Sequence, residues 1–222
     1  MTGVVRSEYP AYLFDLDGTL VDSAPDITAA LNRQLGRFCD LPPLTVALVT
    51  TWVGTGSERL IRTALAHHGA AADEATVARL LGAYATDYAA RAVELSTPYP
   101  HAFSTLRELH LRGARLAIVT NKLAAVTRNV LRHFAIDELF TVVIGGDDVP
   151  RGKPDPLPLL TACRRLHIVP QAGVMVGDSA NDVRAARAAG MPAIAVNYGY
   201  NHGEPIDNAQ PDRIVASLAE LL

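Results

Sequence analysis

The sequence predicts an α/β fold: a doubly wound parallel sheet with a helical cap inserted after its first strand. Three observations lead there. Short apolar runs bounded by turn residues recur at 12–14, 116–119, 142–144, 174–176 and 193–196, as expected of strands buried on both faces. Helical patterns separate the later four runs, which makes the connections right-handed crossovers between parallel strands. The stretch 23–96 breaks this rhythm, being rich in helix formers and free of any strand pattern.

In chain order, the first strand at 12–14 runs into an aspartate-rich turn. The segment 23–96 then carries helix formers such as Ala29-Ala30-Leu31 and Leu80-Leu81-Gly82-Ala83-Tyr84, with breaks at Leu41-Pro42-Pro43, Gly54-Thr55-Gly56 and Gly69. That spacing predicts three or four helices forming a cap over 23–96, with the sheet-bearing core made of 1–22 and 97–222. Both junctions fall near the C-terminal end of the first strand, the edge of an open parallel sheet where ligands bind. Further helices are expected from Asn121 to about His133, over 156–166, and over 179–189 with Gly190 as the stop. A last amphipathic helix is expected after Asp212.

Composition excludes several classes. The chain has 222 residues, with 20 Lys plus Arg against 23 Asp plus Glu and a formal charge of -3. At 49% hydrophobic and 19% charged it can bury a full core, so a disordered chain is excluded. The slight acidity offers no footprint for nucleic acid or an anionic membrane, and no apolar run approaches the ~20 residues that span a bilayer. Residues 1–10 lack a basic segment followed by an apolar one, so no secretory signal is expected. Cys39 and Cys163 fit no metal spacing and read as buried thiols of a cytoplasmic protein. The histidines show no zinc-ligand spacing either.

The first chemical constellation is Phe14-Asp15-Leu16-Asp17-Gly18-Thr19-Leu20-Val21-Asp22-Ser23. On an extended strand Asp15 and Asp17 project to one side and Leu16 to the other, while Gly18 allows a sharp bend. Two carboxylates this close are costly unless a cation binds or one holds a proton. An EF-hand loop is excluded because its sixth position, a glycine, is here Leu20. After the run 116–119 comes Thr120-Asn121-Lys122, which reads either as a helix cap or as a phosphate cradle. Gly152-Lys153-Pro154-Asp155 is by itself a nonspecific turn. Gly177-Asp178-Ser179-Ala180-Asn181-Asp182 offers Ser179 as a helix cap and Asp182 in the first helical turn, which leaves Asp178 at the strand end without a structural reason.

In this order, each at an expected strand end, the four segments resemble the motifs of the haloacid dehalogenase superfamily of phosphohydrolases, whose core is Rossmann-like. The resemblance implies that Asp15 is the nucleophile that attacks phosphorus and Asp17 the general acid/base. It implies that Thr120 and Asn121 bind phosphate, and that Lys153 balances the charge of the phosphoryl oxygens and the attacking carboxylate. It also implies a Mg2+ ion held by the Asp15 side chain, the Asp17 backbone carbonyl and the Asp178 side chain, with Asp182 orienting that site.

Within the superfamily, Thr51-Trp52-Val53-Gly54-Thr55-Gly56, Val143-Ile144-Gly145-Gly146-Asp147-Asp148-Val149 and Tyr198-Gly199-Tyr200-Asn201-His202-Gly203-Glu204-Pro205 resemble the bacterial phosphoglycolate phosphatase family. The substrate implied is 2-phosphoglycolate, a small-molecule phosphate monoester, and the enzyme is expected as a monomer or homodimer. Thr55 departs from that family, which often has Asn there. Gly54 and Gly56 read either as backbone that approaches the substrate's carboxylate or as a hinge between cap helices. Arg59 and Arg62 read either as groups that draw in a dianion or as solvated surface arginines. A β-phosphoglucomutase-like mutase, a pyrophosphatase or a nucleotidase shares the core. A catalytically silent binding module would not need Asp15, Asp17, Lys153 and Asp178 together.

Overall fold

The structure is a computed structural model that describes residues 7–91 and 93–222. Positions 1–6 of the expected core segment and position 92 of the expected cap lie outside the described residues. The main sheet has six parallel strands: β1 (Ala11–Phe14), β4 (Arg115–Val119), β5 (Phe140–Ile144), β6 (Gly173–Gly177), β7 (Ala193–Val196) and β8 (Arg213–Val215), in the order β5-β4-β1-β6-β7-β8. Tyr12 lies in register with Leu116 on one side and with Val174 on the other.

Alternation along each strand divides the core in two. Tyr12, Phe14, Leu116, Ile118, Val174 and Val176 face helices α5 (Ala102–Leu111) and α6 (Ala124–His133). Leu13, Ala117, Val119 and Met175 face α7 (Leu157–Leu166) and α8 (Ala180–Ala189). Both faces are covered, which is why the strands are almost continuously apolar. The chain winds outward from β1 through β4 to β5, then returns to β6 beside β1 and winds the other way. Its switch point therefore lies where β4, β1 and β6 end, the crevice in which α/β folds bind ligands.

Between the short strands β2 (Val21–Asp22) and β3 (Thr97–Pro98) lie four helices: α1 (Ala24–Cys39), α2 (Val46–Thr50), α3 (Ser57–His67) and α4 (Glu74–Arg91). No strand occurs among the described residues of that segment. Its apolar faces meet through Leu31, Leu35, Ile61, Leu65, Leu80 and Tyr84, continuous with the α5–α6 side of the core. Entry and exit are tied together. β2 and β3 pair antiparallel, Val21 with Pro98 and Asp22 with Thr97, and the Asp26 carboxylate accepts from the backbone N–H of Leu95 at 3.0 Å and of Ser96 at 2.7 Å.

Helix α8 begins with the expected device: Ser179 and Asp182 form a reciprocal capping box, and Gly190 ends the helix at φ 69°. The chain after Asp212 differs from expectation. Residues 213–215 form the edge strand β8, parallel to β7, and only a 3-10 turn at Leu218–Leu221 follows. The β-branched pair Ile214-Val215 extends the sheet, and Ser217 and Glu220 then cap a segment too short for an α-helix. Cys163 is buried and Cys39, at the end of α1, is half-buried; both are free thiols. No helix among the described residues is long and apolar enough to cross a membrane.

Candidate active site

Asp15 continues β1 by one residue, its N–H donating to the Val176 carbonyl at 2.9 Å. Leu16 turns into the core, fully buried, and the chain folds back so that the Gly18 N–H reaches the Val21 carbonyl at 2.9 Å. Gly18 sits at φ 84°, and a Cβ there would lie 2.3 Å from Asp178 Oδ2, so conformation and space both require glycine. The turn brings Asp15 and Asp17 to one cavity, as expected of residues two apart on a strand.

Each carboxylate of that pair meets a lysine. Lys153 Nζ lies 3.0 Å from Asp15 Oδ1, and Lys122 Nζ donates to Asp17 Oδ1 at 2.7 Å. Asp15 Oδ1 also accepts from the Leu16 N–H at 2.8 Å, and Asp17 Oδ1 from the Ser23 hydroxyl at 2.5 Å. The Lys122 contact carried no separate signal in sequence, since a lysine three residues past a strand end is common. Tyr88 of α4, whose hydroxyl and ring both meet Lys122 Nζ, carried none at all.

Thr120 directly follows β4, its N–H on the Ile144 carbonyl at 3.0 Å, and it lines the same cavity as Asp15. Asn121 also reaches this cavity, but its side chain is engaged elsewhere. Its Nδ2 donates to the carbonyls of Gly54 at 2.9 Å and Lys153 at 2.8 Å, and its Oδ1 accepts from the Lys153 N–H at 2.8 Å. It therefore joins the Gly54 loop to the Lys153 turn, and no side-chain donor is left over for a ligand.

Lys153 also donates to the Val119 carbonyl at 2.7 Å and to Asp182 Oδ1 at 2.6 Å. Asp182 Oδ2 accepts from the Ser179 N–H at 3.0 Å and hydroxyl at 2.7 Å, so both of its oxygens are occupied and it holds Lys153 in place. Asp178 directly follows β6, accepting from the Thr19 hydroxyl at 3.0 Å and from the Tyr200 N–H at 2.7 Å. Oxygens of Asp15, Asp178 and Asp182 lie within 4.8 Å of one another.

The electrostatics of this group are unbalanced. Burial pushes the Asp15 carboxyl up; Lys153 pulls it back, and Asp182 and Asp17 push it up again. Burial, then Asp182 and Asp15, push Asp178 up as well. Burial alone would lower the Lys153 ammonium, but Asp15 and Asp182 outweigh that and raise it. Three buried carboxylates against one ammonium leave excess negative charge among hard oxygen donors, an arrangement that suits a divalent cation.

Over this edge lies the segment that carries helices α1–α4. Gly54 and Gly56 sit at φ 95° and 91°, and Gly56 is the residue before α3. Both line the cavity, with Trp52, Leu60 and Tyr84. The Gly54 carbonyl also accepts from Asn181 Nδ2 at 3.3 Å. Arg62 is engaged away from the cavity with Glu58 and Glu74, each at 2.9 Å, and Arg59 is exposed.

Comparison with known proteins agrees with this architecture. A model of the haloacid dehalogenase-like hydrolases matches residues 12–196. The chain is 41% identical over 215 residues to a phosphoglycolate phosphatase of Pseudomonas putida, covering 95% of this chain and 77% of that one. It is 40% identical over 228 residues to the phosphoglycolate phosphatase of Escherichia coli strain K12, covering 94% and 89%. The crystal structure of a predicted phosphoglycolate phosphatase from Haemophilus somnus superposes with a TM-score of 0.88 at 34% identity, covering 96% of each chain. A parallel sheet with acidic strand ends, a buried lysine and a match over 12–196 lead to one conclusion: the chain belongs to the haloacid dehalogenase-like hydrolase family.

Proposed function

We propose that this protein is a phosphoglycolate phosphatase that hydrolyses 2-phosphoglycolate to glycolate and phosphate through an aspartyl phosphate on Asp15. The observation that carries this reading is the approach of Lys153 Nζ to Asp15 Oδ1 at 3.0 Å beside Asp178, which suits a nucleophile needing charge neutralisation. The names of relatives about 40% identical over most of the chain support the substrate. On this reading 1–22 and 97–222 form the catalytic core and 23–96 the cap.

The Asp15 carboxylate attacks phosphorus while the bond to the glycolate oxygen breaks, and Asp17 gives its proton to that oxygen. Water then attacks the phosphoaspartate, Asp17 takes the water's proton, and phosphate leaves with Asp15 restored. Thr120 meets the phosphoryl oxygens, while the Lys153 ammonium, fixed by Asp182 and the Val119 carbonyl, balances their charge from beside Asp15. Asn121 supports this reading by holding the Lys153 turn and the Gly54 loop, and Gly54 and Gly56 bring cap backbone to the substrate's side of the cavity. Mg2+, held by the Asp15 and Asp178 side chains and the Asp17 carbonyl, would supply Lewis-acid polarisation of the phosphoryl group when bound. Two free thiols agree with a cytoplasmic enzyme.

The test is phosphate release from 2-phosphoglycolate, β-glucose 1-phosphate, pyrophosphate and a nucleoside monophosphate, each with Mg2+ and with chelator. The expected kcat/KM for 2-phosphoglycolate exceeds the others by at least about tenfold, ~1.4 kcal/mol of transition-state binding, and chelator abolishes it. A flat profile or a preference for another substrate overturns the assignment of substrate.

A further inference from the structure

Lys122 is the one cationic side chain among the described residues lining the cavity beneath the cap. It is buried, only 3% of its side chain being exposed. Two of the three ammonium donors are engaged, one by Asp17 Oδ1 at 2.7 Å and one by the Tyr88 hydroxyl at 2.5 Å, and the Tyr88 ring centroid lies 4.4 Å away. The third donor has no protein acceptor among the described residues.

Much of the remaining wall is apolar, formed by Ile27, Val53, Leu60 and Leu123. A carboxylate entering such a cavity loses its hydration and needs a cation within reach. The cap arginines do not provide one: Arg62 is paired with Glu58 and Glu74, and Arg59 does not line this cavity. Lys153 is already shared between Asp15 and Asp182. Lysine, with a compact charge and freely rotating donors, can keep Asp17 and still meet a second anion.

We propose that Lys122, oriented by Tyr88, receives the carboxylate of the substrate and selects a phosphorylated short-chain acid over a neutral phosphate monoester. This assignment rests on the function proposed above and names the group responsible for the preference. It places recognition beside the general acid, so the acid part of the substrate is held where its alkoxide must leave. Tyr88 belongs to α4, so the selecting ammonium is held by core and cap together.

The test compares 2-phosphoglycolate with 2-hydroxyethyl phosphate, which has a hydroxymethyl group in place of the carboxylate, for the wild-type enzyme and Lys122→Met, with Mg2+ present. The wild type is expected to prefer 2-phosphoglycolate. In Lys122→Met the ratio of the two kcat/KM values should fall about ten- to hundredfold, the range of a charge-assisted hydrogen bond lost from a buried site, with KM for 2-phosphoglycolate rising. If both substrates lose activity equally and the preference survives, Lys122 acts only through Asp17 and the assignment is overturned while the proposed function stands. A wild type without preference overturns the proposed function and this assignment with it. Lys122→Gln, which keeps a donor without the charge, is read the same way and carries the test where the methionine variant fails to fold.

Discussion

The backbone N–H of Tyr200 donates to Asp178 Oδ2 at 2.7 Å, and this one residue links the acidic strand end to the start of α1. Its hydroxyl accepts from the N–H groups of Ser23 at 2.8 Å and Ala24 at 2.9 Å, where α1 begins, and donates to Asp22 Oδ1 at 2.7 Å. The tyrosine thus satisfies donors that the start of a helix otherwise leaves orphaned while its main chain fixes the carboxylate.

Tyr200→Phe separates these two tasks. The variant leaves two helix N–H groups and the Asp22 carboxylate short of a partner, so it should unfold with a free energy lower by about 1–3 kcal/mol. The backbone donor to Asp178 remains, so the concentration of Mg2+ giving half-maximal activity should stay within about twofold. Denaturant titration and a metal titration check the two halves, and an intact stability with a large rise in metal requirement would contradict the division.

Two glycines should respond differently to alanine. At Gly18 a Cβ would lie 2.3 Å from Asp178 Oδ2 and 2.9 Å from Tyr200 Cδ2, at φ 84°, so Gly18→Ala must displace Asp178 or the turn carrying Asp17. Turnover should fall by a factor on the order of a hundred or more. At Gly56 a Cβ meets nothing within 4 Å, and only the φ of 91° opposes it. Gly56→Ala should therefore cost about 1–3 kcal/mol of stability, with turnover falling much less than in Gly18→Ala. Equal kinetic losses in the two variants would contradict the packing role of Gly18.

How much of this was legible in the sequence depended on range. The five strands expected from apolar runs and the Ser179–Asp182 capping box are local patterns, and the sheet follows them. The motif positions Asp15, Thr120, Lys153 and Asp178 stand at the ends of strands or in the loop after β5, so their order in sequence already placed them on one edge. Residues 213–222 were misread because three strand residues and a short turn carry the same apolar spacing as one helical face. Asn121 reads in sequence as a substrate-binding residue, while the side-chain partners the fold gives it, Gly54 and the Lys153 backbone, lie 67 and 32 residues away. Lys122–Tyr88 and Asp178–Tyr200 were invisible for the same reason: each joins elements that only the tertiary fold brings together.

Lys153 holds the buried carboxylates together, and its removal should show that directly. Lys153→Met leaves Asp15 and Asp182 buried without their shared cation, which typically costs about 3–5 kcal/mol. The loss should be smaller with saturating Mg2+, which would replace part of the missing charge. Calorimetry with and without Mg2+ checks this, and a variant as stable as wild type in chelator would contradict the role.

The acidic group also makes stability depend on pH. In the metal-free protein burial raises Asp15 to about 6 and Asp178 to about 8, from 3.8. Both bind protons more tightly folded than unfolded, so their contribution to stability is fully present below about 3.8 and is lost as pH rises through about 6 and about 8. Thermal midpoints in chelator should fall between about pH 5 and about pH 8, and Mg2+ should raise the midpoint more at the higher pH. A midpoint that rises over this range in chelator, or a Mg2+ effect independent of pH, would contradict the excess of buried negative charge.

The most direct test of the central claim is to trap the covalent intermediate. Protein mixed with Mg2+ and 2-phosphoglycolate labelled in its phosphate, and quenched in acid during turnover, should carry a hydroxylamine-labile label on the peptide containing Asp15. Asp15→Asn should carry none and should show almost no turnover. Rapid phosphate release with no label at any quench time, or a label that persists in Asp15→Asn, would contradict Asp15 as the nucleophile.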